Sequence, residues 1–415
     1  MTTLEPPAKK MRPNPSIIAS SSSAASGIFD KVLPLKASSF PIHPLSRFRA
    51  ACPPYKEPEE IVSFSYDEQH KVQMDDRELK YYTTPRTMPP QDLSEGYERQ
   101  ITRDPNLVDH VDGLLEALSC AGKPSADASQ ELKRMAVPHQ ADFVMYRGMM
   151  TRIFCTPFSR RDSWEMNASR YKGTIYIEDN VTAQRIEERK NVPEKQRRMM
   201  YWGYRFEQLA TTTEPSPQTK SNDKAEPSPK PHGYGRSQER QGFIKTMADD
   251  PGEVVDTNRE YCSIFRTQLG CHRIIMGAEI DCIEGKFKLL KFWAQSFLAG
   301  IRKVVVGFRD KDGMLSNVET MHTREMARQV RGVKGMWEAN VCMNFADNFL
   351  SWLGTAITID DPNAVYRIRY AEPFQSVEVQ YLGNKSGTGF LPSFLTHNNI
   401  VAGSSSTDQT KPNST

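Results

Sequence analysis

Apolar and polar positions alternate in several short stretches. Ile61-Val62-Ser63-Phe64-Ser65-Tyr66, Phe143-Val144-Met145-Tyr146 and Gly173-Thr174-Ile175-Tyr176-Ile177 read as strands. Arg302–Arg309, with three valines at its centre, reads as a buried strand, and Lys311-Asp312-Gly313 supplies a turn after it. Val365–Tyr370 and Val377–Tyr381 are late strands. Elsewhere the spacing is helical. Leu107, Val111, Leu114, Leu115 and Leu118 mark a helix over Asn106–Leu118, and Met199, Trp202, Phe206 and Leu209 mark another with one buried stripe. Phe287–Leu298 and the run from Ala339 through Phe345 to Leu353 are also helical. Strands and helices mix without regular alternation. The pattern therefore predicts an α/β (mixed α+β) class, with one domain on a mixed twisted β-sheet, a second smaller sheet and flanking helices.

Composition divides the chain. Residues 1–40 are rich in Pro, Ser and Ala and read as a disordered tail, residues 41–398 as the folded domain, and residues 399–415 as a second polar tail. Within the domain, residues 211–240 read as a flexible insertion, where Glu214-Pro215-Ser216-Pro217 recurs as Glu226-Pro227-Ser228-Pro229. The 54 basic and 51 acidic residues nearly cancel, so any basic groove for a nucleic acid must be local. The seven cysteines are odd in number and form no CxxC pair, which argues against a disulfide framework or zinc finger and for a reducing compartment. No apolar run approaches a membrane span and no signal-peptide core opens the chain, so the expectation is no membrane partner and a nuclear location, with the cytoplasm as a second compartment. Lys9-Lys10-Met11-Arg12 is a weak nuclear-signal candidate.

The candidate chemistry centres on Glu279 and Asp281. In a strand they share one face, while Ala278, Ile280 and Cys282 take the other and point into a core. Two neighbouring carboxylates repel, and a divalent cation such as Mg²⁺ or Mn²⁺ removes that penalty. A solvated strand face is the plainer alternative. Glu207 is a third carboxylate, one turn past Gly203, where a helix lacking side-chain bulk could approach a sheet closely. Taken alone, such a Glu is a surface charge more often than a ligand. Tyr146-Arg147-Gly148 ends a strand, where an Arg suits either a phosphate or an ordinary ion pair.

Together these motifs resemble the DXO-type family of RNA decapping nucleases and 5′→3′ exoribonucleases. The resemblance rests on Tyr146-Arg147-Gly148, Gly203-Tyr204-Arg205-Phe206-Glu207, Gly277-Ala278-Glu279-Ile280-Asp281 and Leu289–Leu298. Val341–Phe345, Asp360-Asp361-Pro362 and Phe390-Leu391-Pro392-Ser393 follow in family order. It implies a nuclease core on a mixed sheet that hydrolyses incompletely capped, NAD-capped or 5′-monophosphate RNA with two divalent ions. It further implies that Glu207, Glu279 and Asp281 are catalytic metal ligands, and that Tyr146, Arg147, Gly148, Cys262 and Gln295 line the substrate. Phe64-Ser65-Tyr66-Asp67 is similar to another family segment, whose following Arg contact is here replaced by His70.

One family motif is missing. A Glu-hydrophobic-Lys strand should follow the Glu279/Asp281 strand, supplying a metal ligand and a Lys facing the attacking water. Only residues 282–286 separate Asp281 from the helix, too few for a turn, a strand and a connection. Glu284-Gly285-Lys286 mimics the motif in letters, but it falls on the same strand or its end, and Gly is a poor strand residue. Either an exon has been lost from the sequence or the site is impaired. Three readings follow: an active decapping hydrolase, an RNA-end binding protein or stabilising partner of a nuclear 5′→3′ exoribonuclease, and, more weakly, a DNA exonuclease. A strand lost from a sheet is also expected to leave unpaired edge groups and lower stability.

Overall fold

The structure, a computed structural model, describes residues 38–121, 140–159, 161–213, 254–279, 289–384 and 389–397. In the first half of the chain these form strands β1 (Ser38–Pro41), β2 (Tyr55–Tyr66), β3 (Val72–Gln73), β4 (Tyr81–Tyr82), β5 (Gln91–Asp92), β6 (Phe143–Tyr146), β7 (Trp164–Tyr171), β8 (Thr174–Asp179) and β9 (Thr211–Thr212). In the second half they form β10 (Glu260–Leu269), β11 (His272–Glu279), β12 (Lys303–Arg309), β13 (Met314–His322), β14 (Ala364–Tyr370) and β15 (Ser376–Asn384). The helices are α1 (Asp112–Ala121), α2 (Arg147–Cys155), α3 (Ala183–Lys190), α4 (Glu194–Leu209), α5 (Leu289–Leu298), α6 (Thr323–Gln329), α7 (Ala339–Ala356) and α8 (Ser393–His397).

Ten strands make one mixed sheet in the order β1-β15-β14-β7-β8-β6-β11-β10-β2-β3. β6 runs parallel to both β8 and β11, and the other pairings in the sheet are antiparallel. A three-stranded sheet, β12-β13-β5, and a two-stranded ribbon, β4-β9, stand apart from it. The expected class, with a large mixed sheet and a smaller second one, is the class observed.

Both faces of the large sheet are covered, and the strand sequences record it. In β11, Ile274, Met276 and Ala278 enter the larger core with Phe143 and Met145 of β6, beside α2, α5 and α7. Ile275 and Val144 enter the opposite core with Leu114, Leu115 and Leu118 of α1. A strand buried on both faces reads as a near-continuous apolar run, as Ile274-Ile275-Met276 does. A third core joins α4 to the small sheet through Tyr201, Trp202, Phe206 and Leu315.

Several expectations need correction. The first helix begins at Asp112, not Asn106: the Asp104 carboxylate takes the Asn106 N–H at 2.8 Å, holding a turn there, and Leu107 is left exposed. β2 starts at Tyr55, well before Ile61; its first half is a Lys/Glu/Pro run in which no alternation shows. β12 is not a buried strand, since its valines are half-buried and Phe308 is exposed in the small sheet. Ser38–Pro41 already forms β1, an edge strand on β15. The 211–240 segment lies outside the described residues from Glu214 onward. Among the described residues β11 carries β10 along one edge and, over Ile274–Gly277, β6 along the other, so the expected open edge is not found there.

The close approach of α4 to a sheet is also not at Gly203. A Cβ placed on Gly203 would meet nothing within 4 Å, whereas one on Gly307 of β12 would lie 2.5 Å from the Phe206 ring. It is the strand, not the helix, that gives up its side chain at this contact. Gly307→Ala is therefore expected to lower stability by about 1–3 kcal/mol through overpacking. Gly203→Ala, in a helix interior with free space, should raise it by about 0.5–1 kcal/mol. Thermal melts of the two variants check the pair, and a destabilised Gly203→Ala beside a neutral Gly307→Ala would reverse the assignment.

Candidate active site

β6 and β11 run side by side and end together. In their ladder Gly277 lies opposite Tyr146. A Cβ on Gly277 would come within 3.0 Å of the Tyr146 ring and 2.9 Å of Leu114, so only glycine leaves room for that ring against the strand. Two residues on, Glu279 closes β11 opposite Cys262 of β10, which is fully buried and pairs on its other side with Phe64 of β2. The Tyr146 and Tyr66 hydroxyls stand 3.4 Å apart. Three expected site residues, Tyr146, Cys262 and Glu279, are thus brought to one end of the sheet. Burial pushes the Tyr146 phenol well above its ordinary pKa, and Tyr66, Cys262 and Glu279 reinforce it.

Arg147 opens α2 directly after Tyr146 and is buried. A Cβ on Gly148 would meet nothing within 4 Å among the described residues, so α2 has open space at that position. Free N–H groups and an arginine at a helix start favour an anion. Gln295 lies on α5, which packs on α2 through Phe154 and Trp293, ring centroids 6.3 Å apart. Trp293 is stacked between Trp337 at 4.8 Å and Phe297 at 5.3 Å, which fixes α5 in place. The buried amide oxygen of Gln295 has no hydrogen-bond partner among the described residues.

Glu207 sits in the last turn of α4, on the helix that packs against the small sheet. The helix end is tied down locally: Thr211 Oγ1 donates to the Glu207 carbonyl at 2.8 Å, and the Thr83 N–H donates to the Ala210 carbonyl at 2.8 Å. Burial pushes the Glu207 carboxyl above its ordinary pKa, and nearby Lys80 opposes the shift. The charge of Glu279 bears instead on Tyr66, Tyr146 and His70. Among the described residues neither carboxylate forms an ion pair or a side-chain hydrogen bond. Asp179, Asp142 and Glu165, by contrast, are all bound by arginines. Two unpartnered carboxylates are the donor type that a hard divalent cation takes. No group of three or more His, Cys, Asp or Glu side chains converges for a metal among the described residues. Asp281, like Glu284-Gly285-Lys286, lies outside them.

Sequence reasoning passed over the support beneath Tyr146. His70 stacks on Tyr66 at 4.1 Å, with the rings 7° from parallel. Its Nδ1 faces the Asn258 carbonyl at 2.9 Å and its Nε2 faces Asp109 Oδ1 at 3.1 Å. Both nitrogens therefore face acceptors. Burial lowers the His70 pKa and Arg103 adds to the effect, while the Asn258 hydrogen bond, Glu279 and Asp67 oppose it. Asp109 also pairs with Arg103, which reaches Glu260 at 3.5 Å. The turn at Asp67, whose carboxylate takes the Gln69 and Lys71 N–H groups, was the one local signal that His70 would fold back.

Because the folded-state pKa of Glu207 is raised, the protein without metal carries a penalty that is full above that pKa and vanishes below the ordinary carboxylate pKa. Glu207→Gln should therefore raise the melting temperature of the metal-free protein at neutral pH, by an amount that shrinks as the pH falls into the carboxylate range. Melts across that range check it, and a pH-independent difference would contradict it.

The sequence matches the model of the RAI1-like PD-(D/E)XK nucleases over residues 56–287 and 285–396, two pieces that meet at the short gap after Asp281. It is 34% identical over 377 residues to the decapping nuclease RAI1 of Neurospora crassa, covering 82% of each chain. It is 31% identical over 395 residues to the decapping and exoribonuclease protein of Homo sapiens, covering 87% of this chain and 89% of the other. In fold it is similar to Candida albicans Rai1, solved in complex with pU5-Mn²⁺, with a TM-score of 0.66 at 21% identity over 84% of this chain and 94% of that one. With matches of that extent, the chain belongs to the RAI1-like PD-(D/E)XK nuclease family.

Proposed function

We propose that this chain is a divalent-metal-dependent hydrolase of RNA 5′ ends. It removes incomplete or NAD-type caps and degrades 5′-monophosphate RNA in the 5′→3′ direction, as part of RNA 5′-end quality control. The observation that carries the reading is the meeting of Tyr146, Cys262 and Glu279 where β6 and β11 end, with Arg147 and the open space at Gly148 of α2 directly beyond. The relatives named for decapping and exoribonuclease activity support it, as do the pU5-Mn²⁺ complex of Candida albicans Rai1 and the 3′-FADP complex of Schizosaccharomyces pombe Rai1.

Glu207, Glu279 and Asp281 would hold Mg²⁺ or Mn²⁺, with two ions as the expected complement. The fit lies in their chemistry: among the described residues neither Glu207 nor Glu279 has an ion pair or side-chain hydrogen bond, and burial already disfavours the Glu207 anion. Metal held there would supply activation of water and stabilisation of charge on the phosphate. The protein's own groups do the rest. Arg147 and the first N–H groups of α2 bind and orient the terminal phosphate. The Gln295 amide, held by the packed α5, donates to a phosphate or sugar oxygen. Tyr146, Gly148 and Cys262 shape the wall, and the Tyr66–His70 stack keeps the Tyr146 ring against Gly277. The nucleus is the proposed location, with the cytoplasm second.

The missing Glu-hydrophobic-Lys motif favours a second reading. On it, the chain binds RNA ends without turning them over, or stabilises a nuclear 5′→3′ exoribonuclease. The test is release of products from NAD-capped and 5′-monophosphate RNA in Mg²⁺ or Mn²⁺. The hydrolase reading expects turnover that falls at least about 100-fold in Asp281→Ala and in Glu279→Gln, and that stops in excess chelator. Undiminished activity in chelator would sink the metal mechanism. End-specific binding without turnover, across several divalent metals, would establish the second reading instead.

A further inference from the structure

α3 is a helix without a core: none of its residues is buried. It is held by its cap, Thr182 Oγ1 accepting the Arg185 N–H at 3.3 Å, and by ion pairs. Arg185 places Nη1 2.8 and 2.9 Å from the two oxygens of Asp179. The same carboxylate is already bound by both terminal nitrogens of Arg152 on α2, Nη2 at 3.1 Å. Arg189 follows Arg185 by one turn, on the same face. It is exposed and has no carboxylate partner among the described residues; its Nη1 lies 3.5 Å from the Leu107 carbonyl. Arg103, four residues before Leu107, pairs with Asp109 and reaches Glu260.

Of four guanidiniums from three separate segments, Arg152 and Arg185 share Asp179, Arg103 takes Asp109 and Glu260, and Arg189 has no carboxylate among the described residues; Asp109 also faces His70. Partial burial and then Arg185 hold Arg189 below its ordinary pKa, Arg103 and Arg152 adding to the effect and Asp179 opposing it. Gathering like charges costs stability. The fork of a guanidinium matches phosphate oxygens, and a phosphate added here would relieve the crowding. The cluster also adjoins the candidate active site through two covalent or packed links. Arg152 lies on the helix that Arg147 opens, and Asp109 joins Arg103 to His70, Tyr66 and Tyr146.

We propose that Arg189, with Arg185, Arg152 and Arg103, forms a second phosphate-binding subsite beside the one at Arg147. Its ligand is a phosphate of the RNA end, either within the departing cap or along the chain's backbone. The inference rests on the RNA-end reading above for the ligand's identity, but the anion site is testable without RNA.

The probe is inorganic pyrophosphate, titrated into the full chain in metal-free buffer and followed by calorimetry. Wild type is expected to bind it, Arg189→Ala to weaken it by about tenfold or more, and Arg189→Lys, which keeps the charge and loses the fork, to fall between. Equal binding by wild type and Arg189→Ala, or no binding by wild type, would overturn the subsite. Unchanged circular dichroism of these exposed-site variants guards against a folding effect. The two sources are then separated by RNA binding in Ca²⁺. A loss confined to NAD-capped RNA assigns the subsite to the cap, and a loss on 5′-monophosphate RNA that grows with oligonucleotide length assigns it to the backbone. Arg189→Ala binding every RNA as wild type does would overturn it as well. Should the protein bind pyrophosphate through Arg189 yet neither bind nor cleave RNA ends, the subsite stands and the RNA-end reading fails.

Discussion

Between Phe143–Tyr146 and Ile274–Gly277 runs a parallel ladder that is buried on both faces and flanked by a further strand on each side. Its side chains alternate between two cores, so a slip of one residue would put Tyr146 and Glu279 on the wrong faces. Gly277 adds a steric lock, since the Tyr146 ring occupies the space where a Cβ would go. That register brings the end of β11, the start of α2 and the start of β10 to one place. The candidate chemistry is built outward from this ladder: Glu279 beside Cys262, Arg147 at the first turn of α2, and α5 packed behind it through Trp293.

Much of this was legible because the apolar pattern is strong where the sheet is buried. Ile274-Ile275-Met276 and Phe143-Val144-Met145 announce strands, and the stripe of α4 announces a helix. The failures fall where tertiary contacts decide. Leu107 has the right spacing for α1, but the turn at Asp104 keeps it out. The glycine that allows close packing is Gly307, far along the chain from Phe206, and nothing near Gly203 indicates this. The pairing of His70 with Asp109 spans 39 residues and has no periodic signature.

The candidate site residues came from the family resemblance rather than from the apolar pattern; what the pattern explains is where some of them lie. Tyr146 and Glu279 lie on strands whose register follows from their burial, and Cys262 follows from the hairpin of β10 and β11. Glu207 belongs to a different layer, on the helix over the small sheet, and its local charge neighbour is Lys80 rather than Glu279. Among the described residues β11 is not left with an open edge before the short gap after Asp281, because β10 lies along one side and, over Ile274–Gly277, β6 along the other.

The central claim is that Glu279, at the end of the ladder, is a ligand to a divalent ion. Mn²⁺ binding followed by electron paramagnetic resonance tests it without reference to turnover. The account predicts that the protein takes up Mn²⁺ and that Glu279→Gln, with its fold intact by circular dichroism, releases it. Equal Mn²⁺ binding by the two proteins would contradict it.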